Sequence, residues 1–120
     1  MPILGDRLRT LAMVAQEEFG DLLESPPLIL DDRVRLLLRD GSFLDIRYPL
    51  KSKYSFYWQR DKTMYRFNTA AHHKEITTFP RHLHNGSEDR VEADHVTSLD
   101  SSPEENLRNV LTWVRQKLTE

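Results

Sequence analysis

Four of the five histidines fall within thirteen residues, in the segments His72-His73 and His82-Leu83-His84. With an unperturbed pKa of about 6.5, an imidazole both accepts and donates protons near neutral pH. Two imidazoles beside a cation meet the needs of metal-independent RNA cleavage: a base for the 2′-hydroxyl proton, an acid for the leaving 5′-oxygen, and positive charge at the phosphate. We therefore take His72, His73, His82 and His84 as candidate catalytic residues and expect no metal and no cofactor.

Two alternatives stay open for these histidines. His82 and His84 are two residues apart on an extended segment, so together with His72 or His73 they would suit a tetrahedral Zn²⁺ site. Against zinc, no carboxylate stands at a ligand-like interval, and structural zinc usually recruits cysteine, which this chain lacks. The other alternative is structural: the imidazoles only hydrogen-bond a long loop to a sheet.

Two amphipathic helices flank the segment that carries the histidines. Apolar residues recur at three- and four-residue spacing from residue 4 to residue 24, which predicts a helix with one buried side, and Ser25-Pro26-Pro27 ends it. Near the C-terminus, Ser102-Pro103-Glu104-Glu105 has an N-cap serine, a proline at the first helical position and the spacing of a capping box. The buried stripe of this second helix is Leu107, Val110, Leu111, Val114 and Leu118, with Trp113 beside it.

Alternating residues between the helices predict two β-hairpins. Residues 28–39 and 42–48 pair across Asp40-Gly41, a dipeptide that tolerates positive φ angles. Residues 54–59 turn at Asp61-Lys62 and return through residues 64–67, whereas residues 69–101 predict a long loop with one short strand near residues 90–92. We therefore expect an α+β fold, with an antiparallel sheet of four to five strands and an N-terminal and a C-terminal helix packed on one face.

Charge is segregated along the chain, although the net charge is only -2. Residues 33–82 carry eleven Lys and Arg against four acids, whereas acids outnumber bases in both flanks. The sheet face away from the helices would display Arg33, Arg35, Arg39, Arg47, Tyr57, Gln59 and Arg66. Such a face has the two features that single-stranded RNA needs, cations that contact its phosphates and an aromatic ring on which a base stacks. The alternative is a solvated sheet face whose arginines bind no ligand. The candidate substrate-binding residues are Arg35, Arg47, Tyr57, Arg66, Lys74 and Arg81.

Length and composition exclude several protein classes. The 120 residues are typical of one domain, which we place at residues 1–120. The absence of cysteine excludes disulfides, thiolate nucleophiles and cysteine-ligated clusters. No apolar run is long enough for a membrane span, and the first ten residues lack the apolar core of a signal peptide, so we expect a cytoplasmic protein without membrane contact.

Three stretches share a pattern with one known family. Residues 54–59 read YSFYWQ, residues 66–73 RFNTAAHH and residues 78–84 TFPRHLH. They resemble the TumE-type toxins, small prokaryotic proteins encoded beside a helix-turn-helix antitoxin, whose pattern runs roughly YSYHWQ, RWDNAPHH and TFPHHxH. Among its departures from the pattern, those at Tyr57, Asn68, Ala71 and Arg81 replace a histidine, an acid, a proline and a histidine, and the chain keeps His72, His73, His82 and His84. The resemblance implies a toxin of a toxin–antitoxin pair.

The leading hypothesis is thus a toxin that acts on RNA as a small metal-independent endoribonuclease. Its expected partners are RNA and a helix-turn-helix antitoxin, and the sequence leaves a homodimer open. The alternative hypothesis is a non-catalytic module that binds nucleic acid or protein and in which the histidine-rich loop is structural.

Overall fold

A computed structural model describes residues 3–120, with side chains from residue 5 onward, so Leu4 of the predicted helix stripe lies outside the described side chains. The helices are α1 (Ile3–Phe19) and α2 (Pro103–Leu118), and a short 3₁₀ helix (Gly20–Leu22) follows α1. The strands are β1 (Leu28–Ile29), β2 (Val34–Leu37), β3 (Phe43–Leu50), β4 (Lys53–Arg60), β5 (Thr63–Asn68), β6 (His82–Gly86) and β7 (Val91–Ala93). Neither helix within residues 3–120 is long and apolar enough to cross a bilayer.

The strands form one antiparallel sheet in which each strand lies beside the next one in the chain. The α+β prediction is confirmed, but the expected number of four to five strands is wrong, because the described residues form seven. Residues 28–39 divide into β1 and β2, since Leu30 and Arg33 close a turn with a backbone hydrogen bond of 2.8 Å. The predicted long loop also contains β6, which pairs with β5 on one side and β7 on the other.

Both helices cover one face of the sheet. Alternate residues of β2, β3 and β4 point toward them and are almost fully buried, among them Leu36, Ile46 and Phe56. Burial of one such side chain contributes roughly 1.5–3 kcal/mol, so this layer accounts for much of the folding free energy. Trp113 of α2 lies at the flank of the core, and its ring packs edge-on against Phe67 at a centroid distance of 5.1 Å.

The predicted hairpin turns and helix cap lie where the sequence places them. Gly41 has a φ of 90°, which glycine adopts without strain, and the Asp40 carboxylate accepts a hydrogen bond from the Ser42 backbone N–H. Asp61, with a φ of 51°, turns the chain between β4 and β5. At the start of α2, the Ser102 hydroxyl accepts a hydrogen bond from the Glu105 N–H at 3.1 Å.

Two buried side chains fasten the segment before α2 to the helix-covered side of the sheet. The Asp94 carboxylate accepts from Val96 N–H and Thr97 N–H, and the Thr97 hydroxyl is 2.6 Å from that of Tyr54. The Asn106 amide donates to the Tyr48 hydroxyl and the Ser98 carbonyl and accepts from the Ser98 N–H. We call these residues, Tyr48, Tyr54, Asp94, Thr97, Ser98 and Asn106, the anchoring network. Burial raises the pKa of Tyr54 to about 12.

Candidate functional site

Polar side chains line the sheet face that the helices leave open. The strand register places Asp45 opposite Tyr57, Tyr57 opposite Arg66 and Arg66 opposite His84, so these residues form one cross-strand row. Arg35 stands opposite Asp45 at the end of the same row. The neighbouring row, also read from the register, contains Arg47, Ser55, Asn68 and His82. The sheet thereby brings several of the predicted binding residues and two of the histidines onto a single face.

The arginines at the β2–β3 end of this face are bound to acids. Arg35 donates two hydrogen bonds to the buried Asp45 carboxylate, at 2.8 and 2.9 Å, and this pairing raises the pKa of Arg35. Arg33 lies 3.9 Å from the same carboxylate, and Arg47 lies 3.4 Å from Asp32. Asp32 belongs to the acidic N-terminal part of the sequence, so the fold partly neutralises the basic middle segment with charge from its flank.

Two other predicted residues have structural contacts. Arg39 donates to the backbone carbonyl of Asp21 at 2.9 Å, which ties it to the 3₁₀ helix rather than to the open face. Arg81 donates to the Asp94 carbonyl at 2.7 Å and also to the Thr97 carbonyl, so its guanidinium holds the segment before α2.

Three imidazoles converge on the open face at the β6 end. His82 and His84 alternate along β6 and therefore point the same way, and both are buried, with 1% and 4% exposure. Turns between β5 and β6 bring His73 against them, and the ring centroids are 4.7 Å apart for His73–His82, 5.8 Å for His73–His84 and 5.0 Å for His82–His84. One ring nitrogen of each lies within 4.8 Å of the others. We call these three residues the histidine cluster.

Backbone carbonyls fix the orientation of the two strand histidines. Nδ1 of His82 lies 3.0 Å from the Pro80 carbonyl, and Nδ1 of His84 lies 2.9 Å from the Glu88 carbonyl. A carbonyl only accepts, so in both rings Nδ1 carries the proton and the lone pair of the neutral ring is on Nε2. Nδ1 of His73 lies 3.6 Å from the Glu75 carboxylate. Burial lowers the pKa of His82, which favours its neutral form.

Arg66 lies between the histidine cluster and an open groove. It stands opposite His84 in the strand register, its guanidinium contacts Glu88, and its Nε is buried without a hydrogen-bond partner among the described residues. The groove has a volume of about 700 Å³. Its lining includes Arg47, Lys53, Ser55, Arg66, Asn68 and His72. The groove therefore offers several cations, and Arg66 is the lining residue that stands opposite a histidine of the cluster in the strand register.

The remaining candidates are more peripheral. His72 is exposed and lines the groove, so the structure separates it from its neighbour His73. Lys74 is exposed on the next turn, which the Ile76 N–H closes on the His73 carbonyl. Tyr57 is half-buried, and its hydroxyl donates to the Gln59 side chain.

Sequence reasoning missed the acidic residues that surround the candidate site. Glu75 beside His73, Glu88 beside Arg66 and Asp45 beside Arg35 all contact predicted site residues. For Asp45 a signal existed, since strand alternation already places it on the same face as Arg47. Glu88 has no such signal, because it follows β6 in a turn and its contact depends on how that turn folds back.

Comparison with known families gives one match that covers nearly the whole chain. Residues 5–118 match the family model described as Toxin TumE. The match extends well beyond the residues 54–84 that carry the visible resemblance and includes most of α1 and all of α2. Searches of curated proteins and of solved structures give no match.

Proposed function

This chain belongs to the TumE toxin family, and we propose that its toxicity arises from cleavage of RNA at the histidine cluster. Membership makes it the toxin of a toxin–antitoxin system, for which an antitoxin is the expected partner. The observation that carries the proposal is the convergence of His73, His82 and His84 beside Arg66, next to a groove lined by cations.

Single-stranded RNA fits the chemistry of the open face. Arg47, Lys53 and Arg66 line the groove and would contact successive phosphates, which supplies the electrostatic part of the affinity. Tyr57 lies in the same row as Arg66 and offers a ring on which a base would stack. The substrate would thus cross β3, β4 and β5 and present one phosphate to the histidine cluster.

The reaction would be an attack of the RNA on its own backbone. A neutral imidazole accepts the 2′-hydroxyl proton, and the 2′-oxygen forms a bond to phosphorus while the bond from phosphorus to the 5′-oxygen breaks. A protonated imidazole gives its proton to the leaving 5′-oxygen, and Arg66 stabilises the negative charge on the phosphoryl oxygens. The products are a 2′,3′-cyclic phosphate and a 5′-hydroxyl end. The histidines act either as free imidazoles, as the sequence suggests, or as metal ligands. The proposed substrate is RNA in both cases.

The test uses purified protein and two oligonucleotides of the same sequence, one of RNA and one of DNA. We expect cleavage of the RNA alone, because DNA lacks the 2′-hydroxyl that attacks, and we expect cyclic phosphate and 5′-hydroxyl ends by mass spectrometry. Parallel reactions with EDTA separate free imidazole chemistry from metal-dependent chemistry. Cleavage of both oligonucleotides, or of neither, would contradict the proposal.

A non-catalytic binding module is the second candidate, and specific contacts favour it. The Nδ1 atoms of His82 and His84 hydrogen-bond backbone carbonyls, as a purely structural role requires. Under this alternative, RNA or an acidic protein binds the open face without being cleaved. An RNA that binds with strong salt dependence but stays intact would support the module over the nuclease.

A further inference from the structure

We propose that His73, His82 and His84 form a binding site for a divalent metal ion of the zinc class. Zinc is bound by imidazole nitrogens, and three protein ligands leave a tetrahedral ion one position for water. This inference revises the metal-free expectation from the sequence, because a ring whose Nε2 binds an ion cannot also act as a free acid or base. RNA as the substrate is compatible with either state, and the EDTA reactions described above distinguish the two.

The ring nitrogens lie close enough together for a small rearrangement to complete the site. One nitrogen from each ring is within 4.8 Å of the others. Bonds of about 2.0–2.1 Å in tetrahedral geometry would bring the nitrogens to roughly 3.4 Å from one another. His82 and His84 are fixed on β6, whereas His73 lies on a turn and its side chain is 30% exposed, so His73 is the ligand that would move inward.

The surroundings of the rings match those of metal-bound histidines. Such a histidine almost always donates its second ring N–H to a carbonyl or a carboxylate, which fixes the tautomer and orients the ring. His82 donates to the Pro80 carbonyl and His84 to the Glu88 carbonyl, while Nδ1 of His73 faces the Glu75 carboxylate at 3.6 Å. His82 and His84 therefore have the second-nitrogen hydrogen bond, and Nε2 of these two rings is left with its lone pair for a metal ion; at 3.6 Å, Glu75 is near His73 but does not yet hydrogen-bond it.

The ligand type and nearby charges decide which ion fits. Three imidazole nitrogens suit zinc and its transition-metal neighbours, whereas Mg²⁺ and Ca²⁺ prefer oxygen ligands. The positive charge of Arg66 repels a metal ion at this position. Arg66 is bound to Glu88, however, and the Glu88 carboxylate lies 3.9 Å from Nδ1 of His84, so its negative charge offsets the repulsion. Glu75, whose carboxylate lies 3.6 Å from Nδ1 of His73, adds a second negative charge near the cluster.

Adjacent histidines provide a matched pair of variants for the test. Metal-stripped protein is titrated with Zn²⁺ in competition with a chromophoric chelator, and thermal unfolding is followed with and without the ion. We expect one equivalent of Zn²⁺ to bind the wild type and His72→Ala and to raise their Tm. In His73→Ala the affinity should fall at least about a hundredfold, and in Glu75→Gln about tenfold. Mg²⁺ should not compete.

The spectrum of Co²⁺ in place of Zn²⁺ adds a readout of geometry, because a tetrahedral site gives a more intense visible absorption than hydrated Co²⁺ does. His73 lies on a partly exposed turn, so circular dichroism of His73→Ala should match that of His72→Ala. Equal Zn²⁺ affinity in both variants, or no binding by the wild type, would overturn the site. Neither outcome bears on RNA cleavage, since no RNA is present in these measurements.

Discussion

The anchoring network and the histidine cluster are both groups of buried polar side chains, but they differ in how completely their atoms are paired. In the anchoring network, Asp94 and Asn106 use both polar ends of their side chains in hydrogen bonds. In the histidine cluster, the bonds to Pro80 and Glu88 use only Nδ1 of His82 and His84. Two arginines of the open face, Arg33 and Arg66, each keep a buried Nε without a hydrogen-bond partner among the described residues.

Paired groups stabilise a fold, whereas unpaired buried groups cost free energy unless a ligand, water or ion completes them. The anchoring network therefore has all it needs within the chain and accounts for stability. In the histidine cluster, Nε2 of His82 and of His84 has no hydrogen-bond partner among the described residues, so a ligand, water or ion can bind there. This difference supports the assignment of function to the histidine cluster, and substitutions in each region test it.

The largest effect is expected at Arg66. Replacement by alanine removes the charge that faces the phosphate, so RNA cleavage should fall about 10²- to 10³-fold. Arg35→Ala is the comparison, because that guanidinium lies in the same cross-strand row but is bound to Asp45. The change leaves the buried Asp45 carboxylate without its main partner and should lower stability, so rates are compared at a temperature where both variants are folded, and there the Arg35→Ala rate should change less than about tenfold. Initial rates on one RNA oligonucleotide measure both. Equal losses would mean that the open face contributes only general positive charge.

Asn106 should give the largest loss of stability. Its replacement by alanine leaves the Tyr48 hydroxyl and the Ser98 backbone groups without their buried partner, which should cost about 3 kcal/mol of unfolding free energy in urea denaturation. Asn85→Ala is the control, since the Asn85 amide donates to the half-exposed Glu92 and its loss should cost less than about 1 kcal/mol. Similar costs would show that the anchoring network does not determine stability.

Tyr54 should give a smaller and pH-dependent effect. Its pKa is about 12 in the fold, against 10.0 for an unperturbed tyrosine, so the native state holds this proton at pH values where the unfolded state has lost it. Stability should therefore fall as pH rises above about 10. Tyr54→Phe should cost about 1 kcal/mol at neutral pH through the lost bond to Thr97 and should make the alkaline decline shallower. An unchanged alkaline slope would contradict this assignment.

Strong local patterns made much of the fold predictable. Three- and four-residue periodicity predicts both helices, and alternation around Asp40-Gly41 and Asp61-Lys62 predicts the two hairpins. Strand β6 gives no such pattern, because in HLHNG only Leu83 is an apolar side chain directed at the core. The two-residue strand β1 is too short for any periodicity, and it exists only because β2 is beside it.

The site could be predicted only as far as strand geometry determines it. The two-residue spacing of His82 and His84 already places them on one face, and this holds on β6. The choice between His72 and His73 depends on the path of a turn, which no spacing rule specifies. The pairing of Arg47 with Asp32 and of Arg66 with Glu88 joins distant segments, so a charge count along the chain overstates the positive charge of the open face.

The most direct test of a functional histidine cluster measures RNA cleavage and unfolding free energy on the same preparations of wild type, His73→Ala and His72→Ala. We expect His73→Ala to lower the cleavage rate at least about a hundredfold while its unfolding free energy stays within roughly 1 kcal/mol of the wild type. His72 lines the groove but lies outside the histidine cluster, so His72→Ala should lower the cleavage rate less than about tenfold and leave the unfolding free energy unchanged. Undiminished cleavage by His73→Ala, or a loss of cleavage that only follows a loss of stability, would contradict a functional role for the histidine cluster.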